Sequence, residues 1–327
     1  MRKKYILIIV TVFLGGLLLF LLAMGIFLPS HAKTETVRIA PEMTLMEITN
    51  HLSRKGLLRA PRLFIFVTKI SGKERKLKAG LYEFPLQSRP FQALRKLVRG
   101  ETAVVRITIP EGWSAREIGN LLESKELCTQ KEFLSVTLEK KMEGFLFPNT
   151  YLISSEFSAA KIALTLVDGF NSIWKPEWDL QAKRVGLSQK DVVTLSSIIE
   201  REAQVNAEKS VISSVFHNRL RRKMQLEADP TILYALGSWS TRLTRDLLRT
   251  KSPYNTYLHR GLPPGPICNP GEQSIKAALY PARTDYLFFV AVGDGTHVFS
   301  RTSAGHNAAI REIKLRKATQ VDTWKSP

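Results

Sequence analysis

The sequence predicts an α+β protein: an N-terminal transmembrane helix, then a small α/β module, then a larger C-terminal domain of mixed α+β type. Three observations predict it. Residues 5 to 28 carry no charge, a strand, turn, helix, helix pattern occurs twice before residue 140, and from about residue 143 longer helical periodicities lead into a hairpin. With 327 residues, 44% of them hydrophobic and 24% charged, the chain is globular and long enough for two domains.

Residues 1 to 4 form a basic tip with Arg2, Lys3 and Lys4, and the stretch behind it reads YILIIVTVFLGGLLLFLLAMGIFL. As a helix it is roughly 36 Å long, enough to cross a hydrocarbon core of about 30 Å with some tilt. A cleaved signal peptide competes, since Ser30-His31-Ala32 offers small residues at a cleavage site's offsets. Its apolar stretch would be about twice too long. The expectation is an uncleaved signal anchor in the plasma (inner) membrane, with the N-terminus cytoplasmic and everything after it extracytoplasmic, periplasmic if there is an outer membrane.

The formal net charge of +19 suits a polyanion. Nucleic acid is not the expected one, because an exported chain does not meet it and no zinc finger, RNA-recognition or basic heptad signature is present. Anionic membrane lipid or an anionic cell wall fits better, unless the dispersed Lys and Arg simply solvate the surface. Cys128 and Cys268 stand far apart, in what read as different domains; export permits a disulfide that this separation does not favour. With no CxxC, no HExxH and six scattered histidines, no metal or other cofactor is expected.

The repeat spans 33 to 140. VRIAPEMTLMEITNHLSRKGLLRAPRLFIF at 37 to 66 matches ITIPEGWSAREIGNLLESKELCTQKEFL at 107 to 134, aligning Ile48 with Ile118, Leu52 with Leu122 and Leu57 with Leu127. AGLYEF at 79 to 84 supplies a further strand. The pattern resembles the LysM type of small carbohydrate-binding module, or equally any small α+β packing domain.

The second domain, 143 to 320, begins at EGFLFPNTYLI. Helical patterns occupy about 158 to 174, 188 to 204, 207 to 222, 242 to 249 and 271 to 279, and YLFFVAV and THVFS flank the turn at Gly293-Asp294-Gly295. Between them LEADPTILYAL, SPYNTYLHRGLPPGPICNPG and SAGHNAAI read as long polar and aromatic loops of the functional kind.

VVTLSSIIEREA at 192 to 203 reads as an amphipathic helix capped by Ser188 and Asp191, with Val192, Leu195, Ile199 and Ala203 on its buried face. Glu200 falls at the margin of that face in line with Ser196, and the small Ser196 and Ser197 leave space for a ligand. A carboxyl group of ordinary pKa near 4.3 is only about 0.2% protonated at pH 7, whereas one raised to about 6.5 is roughly a quarter protonated. Burial against Val and Ile promotes such a rise. Glu202 points about 160° away and so cannot flank the same bond; it reads as a structural acid that must be paired, with Arg219 as its candidate partner, or neutral.

LSSIIEREA, VFHNRL, LEADPTILYAL, SPYNTY, GLPPGPICNPG, YLFFV and AGHN, preceded by EGFLFPNTY, stand in one order that resembles the endolytic murein transglycosylase (MltG, YceG-like) family from the anchor to about residue 315. The resemblance implies that Glu200 is the catalytic acid/base and that the first module is LysM-like. It implies lytic cleavage of the bond between N-acetylmuramic acid and N-acetylglucosamine within peptidoglycan glycan strands, leaving a 1,6-anhydro end. It also implies association with peptidoglycan synthases and termination of glycan elongation. Two positions depart from the family pattern, Ala203 where Thr is frequent and Cys268 where a small residue is usual.

Tyr254, Asn255, Thr256 and Tyr257 are candidate glycan contacts, because Tyr faces stack on sugar rings while Asn and Thr bond hydroxyl and acetamido groups. Asn218, Asp229 and Asn307 are further candidates, and Asp229 before Pro230 suggests a fixed turn. Three other readings compete. A muramidase would use Glu200 as acid and a loop carboxylate such as Asp229 as base or nucleophile. A serine acyltransferase would use the SxxK matches SAAK or SIWK, without the SDN or KTG partners it needs. The non-enzymatic reading is a membrane-tethered wall-binding scaffold.

Overall fold

The structure, a computed structural model, describes residues 10–17 and 33–323, with side chains to 316. The expected anchor at 5–28 lies outside the described residues except for 10–17, which are helical and exposed. No described helix is long and apolar enough to cross a membrane. The contacts divide the chain into two units, one comprising the residues up to Arg106 with Leu152–Phe157, the other Ile107–Tyr151 with the residues from Ser158 onward.

In the first unit β1 (Thr34–Ile39), α1 (Leu45–Arg54), α2 (Pro61–Ile70) and β2 (Gly80–Pro85) follow in order, with β1 and β2 antiparallel and Val37 opposite Tyr82. Alternation along the strands and helical spacing along α1 turn Val37, Ile39, Ile48, Leu52, Tyr82 and Phe84 into one core. The helix α3 (Pro90–Arg99) adds Leu94 and Leu97 to it.

The second repeat copy builds the same elements: β3 (Val104–Thr108), α4 (Ala115–Ser124), α5 (Gln130–Glu139) and β4 (Thr150–Ser154), with β3 paired to β4. Equivalent capping boxes start α1 and α4, Thr44 with Glu47 and Ser114 with Glu117, each satisfying amide donors that a helix end leaves free. The contacts nonetheless divide the expected 33–140 module at Arg106, placing the second copy with the larger unit. The reason is a pair of bonds from its loop after β3 into the rest of that unit: Gly112 N–H to Asn269 O at 2.9 Å and Asn269 N–H to Trp113 O at 2.8 Å. Cys128 and Cys268 therefore share the second unit, contrary to expectation, and both are free.

The rest of that unit comprises α6 (Ala159–Ile173), α7 (Pro176–Arg184), α8 (Gln189–Glu202), α9 (Lys209–Arg221), α10 (Asp229–Leu236), α11 (Glu272–Leu279), the antiparallel hairpin β5 (Phe288–Ala291) and β6 (His297–Ser300), and α12 (Ser303–Thr323). α8 is its central element. Every residue from Val192 to Ile199 is buried, so the helix is enclosed and not amphipathic over this stretch. Its hydroxyls tolerate this by bonding backbone carbonyls of the preceding turn, Thr194 to Lys190 O, Ser196 to Val192 O and Ser197 to Thr194 O. The helix expected at 242–249 reduces to a 3-10 turn at Leu247–Arg249. Conversely, LEADPTILYAL contains α10, whose Pro230 sits in the first turn where a missing N–H costs nothing, and SAGHNAAI opens α12.

Candidate active site

Glu200 lies in the last turn of α8, one side of which faces α9 and the loop leading into α11. Its side chain is 9% exposed, and both carboxylate oxygens accept protein hydrogen bonds: Oε1 from Lys209 Nζ at 3.1 Å and Oε2 from the Gly271 amide at 2.9 Å. Lys209 is itself 6% exposed, so this is a buried ion pair at the start of α9. The space expected over Ser196 and Ser197 is filled. Both serines are fully buried, and Ser197 accepts the Ile267 amide and offers its carbonyl to the Cys268 thiol, which seats the Pro- and Gly-rich loop on α8.

Two glycines bring backbone close to this carboxylate. A Cβ on Gly112 would stand 3.5 Å from Glu200 Cγ, and one on Gly271 would stand 1.9 Å from Oε1 of Glu111. Glu111 and Glu200 thus converge on Gly271. Glu111 is exposed and makes no hydrogen bond or ion pair among the described residues. Partial burial raises its pKa above the ordinary carboxylate value, the Glu200 carboxylate adds to the rise and Lys209 opposes it.

Asn269 fixes the loop that carries Glu111. Its side chain is fully buried, accepts the Leu146 amide at 2.9 Å and donates to Trp113 O and to Glu143 Oε1, each at 2.9 Å. Burial pushes Glu143 up to about 7 against the bonds it accepts from Ala115 N–H, Asn269 and Tyr234. Next to Glu200, Arg201 bonds Glu117 at 3.0 Å and lies over the Trp239 ring at 3.7 Å, while Trp239 Nε1 donates to the same carboxylate. Glu117, Trp239, Tyr234 and Asn120 line a cavity of about 350 Å³.

The other candidates are mostly structural. Asn255 is fully buried and donates to Leu248 O and Thr250 O while accepting Tyr257 N–H, and Thr256 bonds Thr231 and the Ala228 amide. Neither can meet a glycan. Tyr254 packs on Tyr234 with ring centroids 5.0 Å apart, and Tyr257 donates to Asp229 at 2.6 Å. Asn218 is buried, tying Thr284 O and Tyr286 O beside an arginine-lined cavity of about 970 Å³ that contains neither Glu200 nor its partners. Asn307 is exposed on α12. Burial pushes Glu202 up to about 8, with Asp229 adding and Arg219 opposing. Arg219 does not pair with Glu202 as expected; its guanidinium is committed to Glu227 at 2.8 Å and to the carbonyls of Leu287, Gln225 and Leu226. Asp229 therefore couples to Glu202, which diverges from Glu200, and is poorly placed as its partner. Lys209, Gly271, Glu111 and Asn269 carry no sequence signal of their own as site residues, although IPEG at 109 to 112 lies within the second repeat copy and NPG at 269 to 271 within the Pro- and Gly-rich loop.

The chain matches the YceG-like family over residues 37–312. The endolytic murein transglycosylase of Bacillus subtilis is 31% identical over 303 residues, 84% of each chain. That of Streptococcus pneumoniae is 27% identical over 323 residues, 86% of this chain and 58% of its own. The crystal structure of a yceG-like protein from Listeria monocytogenes is similar with a TM-score of 0.56 and 32% identity, covering 84% of this chain and 98% of that one. With more than four-fifths of its length inside the match, this chain belongs to the YceG-like family.

Proposed function

We propose that the protein is an endolytic murein transglycosylase, a lyase that cleaves the bond between N-acetylmuramic acid and N-acetylglucosamine inside peptidoglycan strands, with Glu200 as the essential acid/base. The reaction needs a proton delivered to the leaving oxygen and one removed from the muramic 6-hydroxyl, which closes on C1 to give the 1,6-anhydro end without consuming water. General acid/base assistance of this kind contributes about 10²- to 10⁴-fold. The observation that carries the reading is the placement of Glu200: a nearly buried carboxylate fixed by Lys209 and the Gly271 amide, one residue from an arginine that lies over Trp239, whose ring lines a cavity of about 350 Å³. The curated relatives bear the name of this activity.

The finer reading is that the uncharged stretch 5–28 anchors the protein in the plasma membrane and restricts it to nascent strands beside their synthases, where cleavage terminates elongation. The strand, helix, helix, strand order of each repeat copy, with its two strands paired, supports a LysM-like, glycan-binding role for this region. Mass spectrometry of the products released from purified glycan strands by the full chain and its Glu200→Gln variant tests the activity. Anhydro ends from the wild type alone are expected; reducing ends would indicate a hydrolase, and uncut strands with well-folded protein would favour a wall-binding scaffold.

A further inference from the structure

Both oxygens of Glu200 already accept hydrogen bonds from protein donors, one from an ammonium and one from a backbone amide. That arrangement suits a group that takes a proton. A lytic cleavage also needs a group that begins with one, and the structure holds a second carboxyl group at the same place. Glu111 lies on the loop between β3 and α4, packed against Gly271, the residue whose amide binds Glu200. Gly112 takes φ +80, a conformation that side chains rarely adopt, and turns the loop beside Glu200 and Arg201, where an added Cβ would meet Glu200 Cγ at an ordinary contact distance of 3.5 Å. Asn269 locks the same loop by exchanging backbone bonds with Gly112 and Trp113.

We propose that Glu111 is the second carboxyl group of the reaction, donating the proton to the leaving oxygen while Glu200, bound by Lys209 and Gly271, receives the proton of the muramic 6-hydroxyl. The inference rests on the transglycosylase reading and divides its acid and base roles between two residues. The bond from C1 to the leaving oxygen breaks as that oxygen takes the Glu111 proton. The 6-oxygen loses its proton to Glu200 and bonds to C1. One proton has then moved from Glu111 to Glu200, and it returns through solvent once the products leave. The Glu111 side chain is exposed, and the charged groups acting on it are Glu200 and Lys209, with Arg201 beside the next residue, Gly112. Partial burial and the Glu200 carboxylate both favour its protonated form.

The test uses the full chain in detergent, with kcat, KM and product ends measured across pH for wild type, Glu111→Gln and Glu111→Asp. Because the Glu111 side chain makes no hydrogen bond among the described residues, Glu111→Gln should keep the wild-type melting temperature. Its kcat is expected to fall at least about 100-fold with KM within about threefold, in keeping with the loss of a general acid. The fall of wild-type kcat as rising pH takes the proton from Glu111 should be absent from Glu111→Gln and kept at an intermediate rate by Glu111→Asp. A Glu111→Gln enzyme within threefold of wild-type kcat, one that keeps this fall with rising pH, or one that loses activity only by unfolding overturns the proposal. Reducing ends from the wild type overturn the transglycosylase reading and this inference with it, whereas anhydro ends made at full rate by Glu111→Gln overturn this inference alone.

Discussion

Lys209 Nζ and Glu200 Oε1 are 3.1 Å apart in an ion pair whose side chains are 6% and 9% exposed. Two charges so far from water hold each other in place, and removing one leaves the other without compensation, a loss of about 3 to 5 kcal/mol. Lys209→Met is therefore expected to destabilise the protein by about 3 kcal/mol, and the double variant with Glu200→Gln to recover part of it. Urea unfolding of the two singles and the double checks this. Additive losses would mean that the two groups do not act as a pair.

Gly271 is required by its neighbour and not by its backbone. Its φ of −75 is open to any residue, yet an added Cβ would stand 1.9 Å from Glu111 Oε1. The clash is with the end of a flexible side chain, so the fold should accommodate Gly271→Ala with a change in melting temperature of only a few degrees, about 1 kcal/mol. Displacement of Glu111 should still lower the cleavage rate by about tenfold or more, given how steeply rates depend on placement of catalytic groups. Melting curves beside cleavage rates decide it, and unchanged activity would show that the position of Glu111 is immaterial.

Glu143 and Glu202 carry protons in the folded protein to about pH 7 and about pH 8, against an ordinary value of 4.5. The folded state thus binds more protons than the unfolded chain between those limits, and stability falls as pH rises from about 4.5 to about 8. Calorimetric melting temperatures should decline through this window. Glu202→Gln should remove the part of the decline nearest pH 8, and a Glu202→Gln profile parallel to wild type would contradict the assignment of that residue.

The parts of this architecture that depend on local spacing were legible in the sequence. The apolar positions shared by Ile48 and Ile118, and by Leu52 and Leu122, revealed the repeat, and Glu200 stood out at the end of its helix. The division at Arg106 was not legible, because it depends on bonds from Gly112 and Trp113 to Asn269, residues remote in sequence. Asn255 and Thr256 looked like ligands for sugar because polar side chains in a Pro- and Gly-rich loop are ambiguous. They can face a substrate or satisfy the loop's own amides and carbonyls, and here they do the second. Lys209 and Glu111 belong to the Glu200 site through packing of α9 and of the loop after β3, which no periodicity along the chain reports.

Asn269 offers the sharpest separation of fold from site. Its buried amide makes three bonds, to Leu146 N–H, Trp113 O and Glu143, and leaving such groups unpaired costs about 1 to 3 kcal/mol each. Asn269→Ala should therefore lower stability by about 3 kcal/mol or more. Asn269→Asp keeps the acceptor for Leu146 but replaces the donor with an acid that faces the Trp113 carbonyl and the Glu143 carboxyl. Its deficit should grow with pH as both carboxyl groups lose their protons, whereas that of Asn269→Ala should not. Urea unfolding of both variants at pH 5 and pH 8 measures the difference. Equal deficits at the two pH values would mean that Glu143 does not sense this position, and that the loop bearing Glu111 is held by its backbone bonds alone.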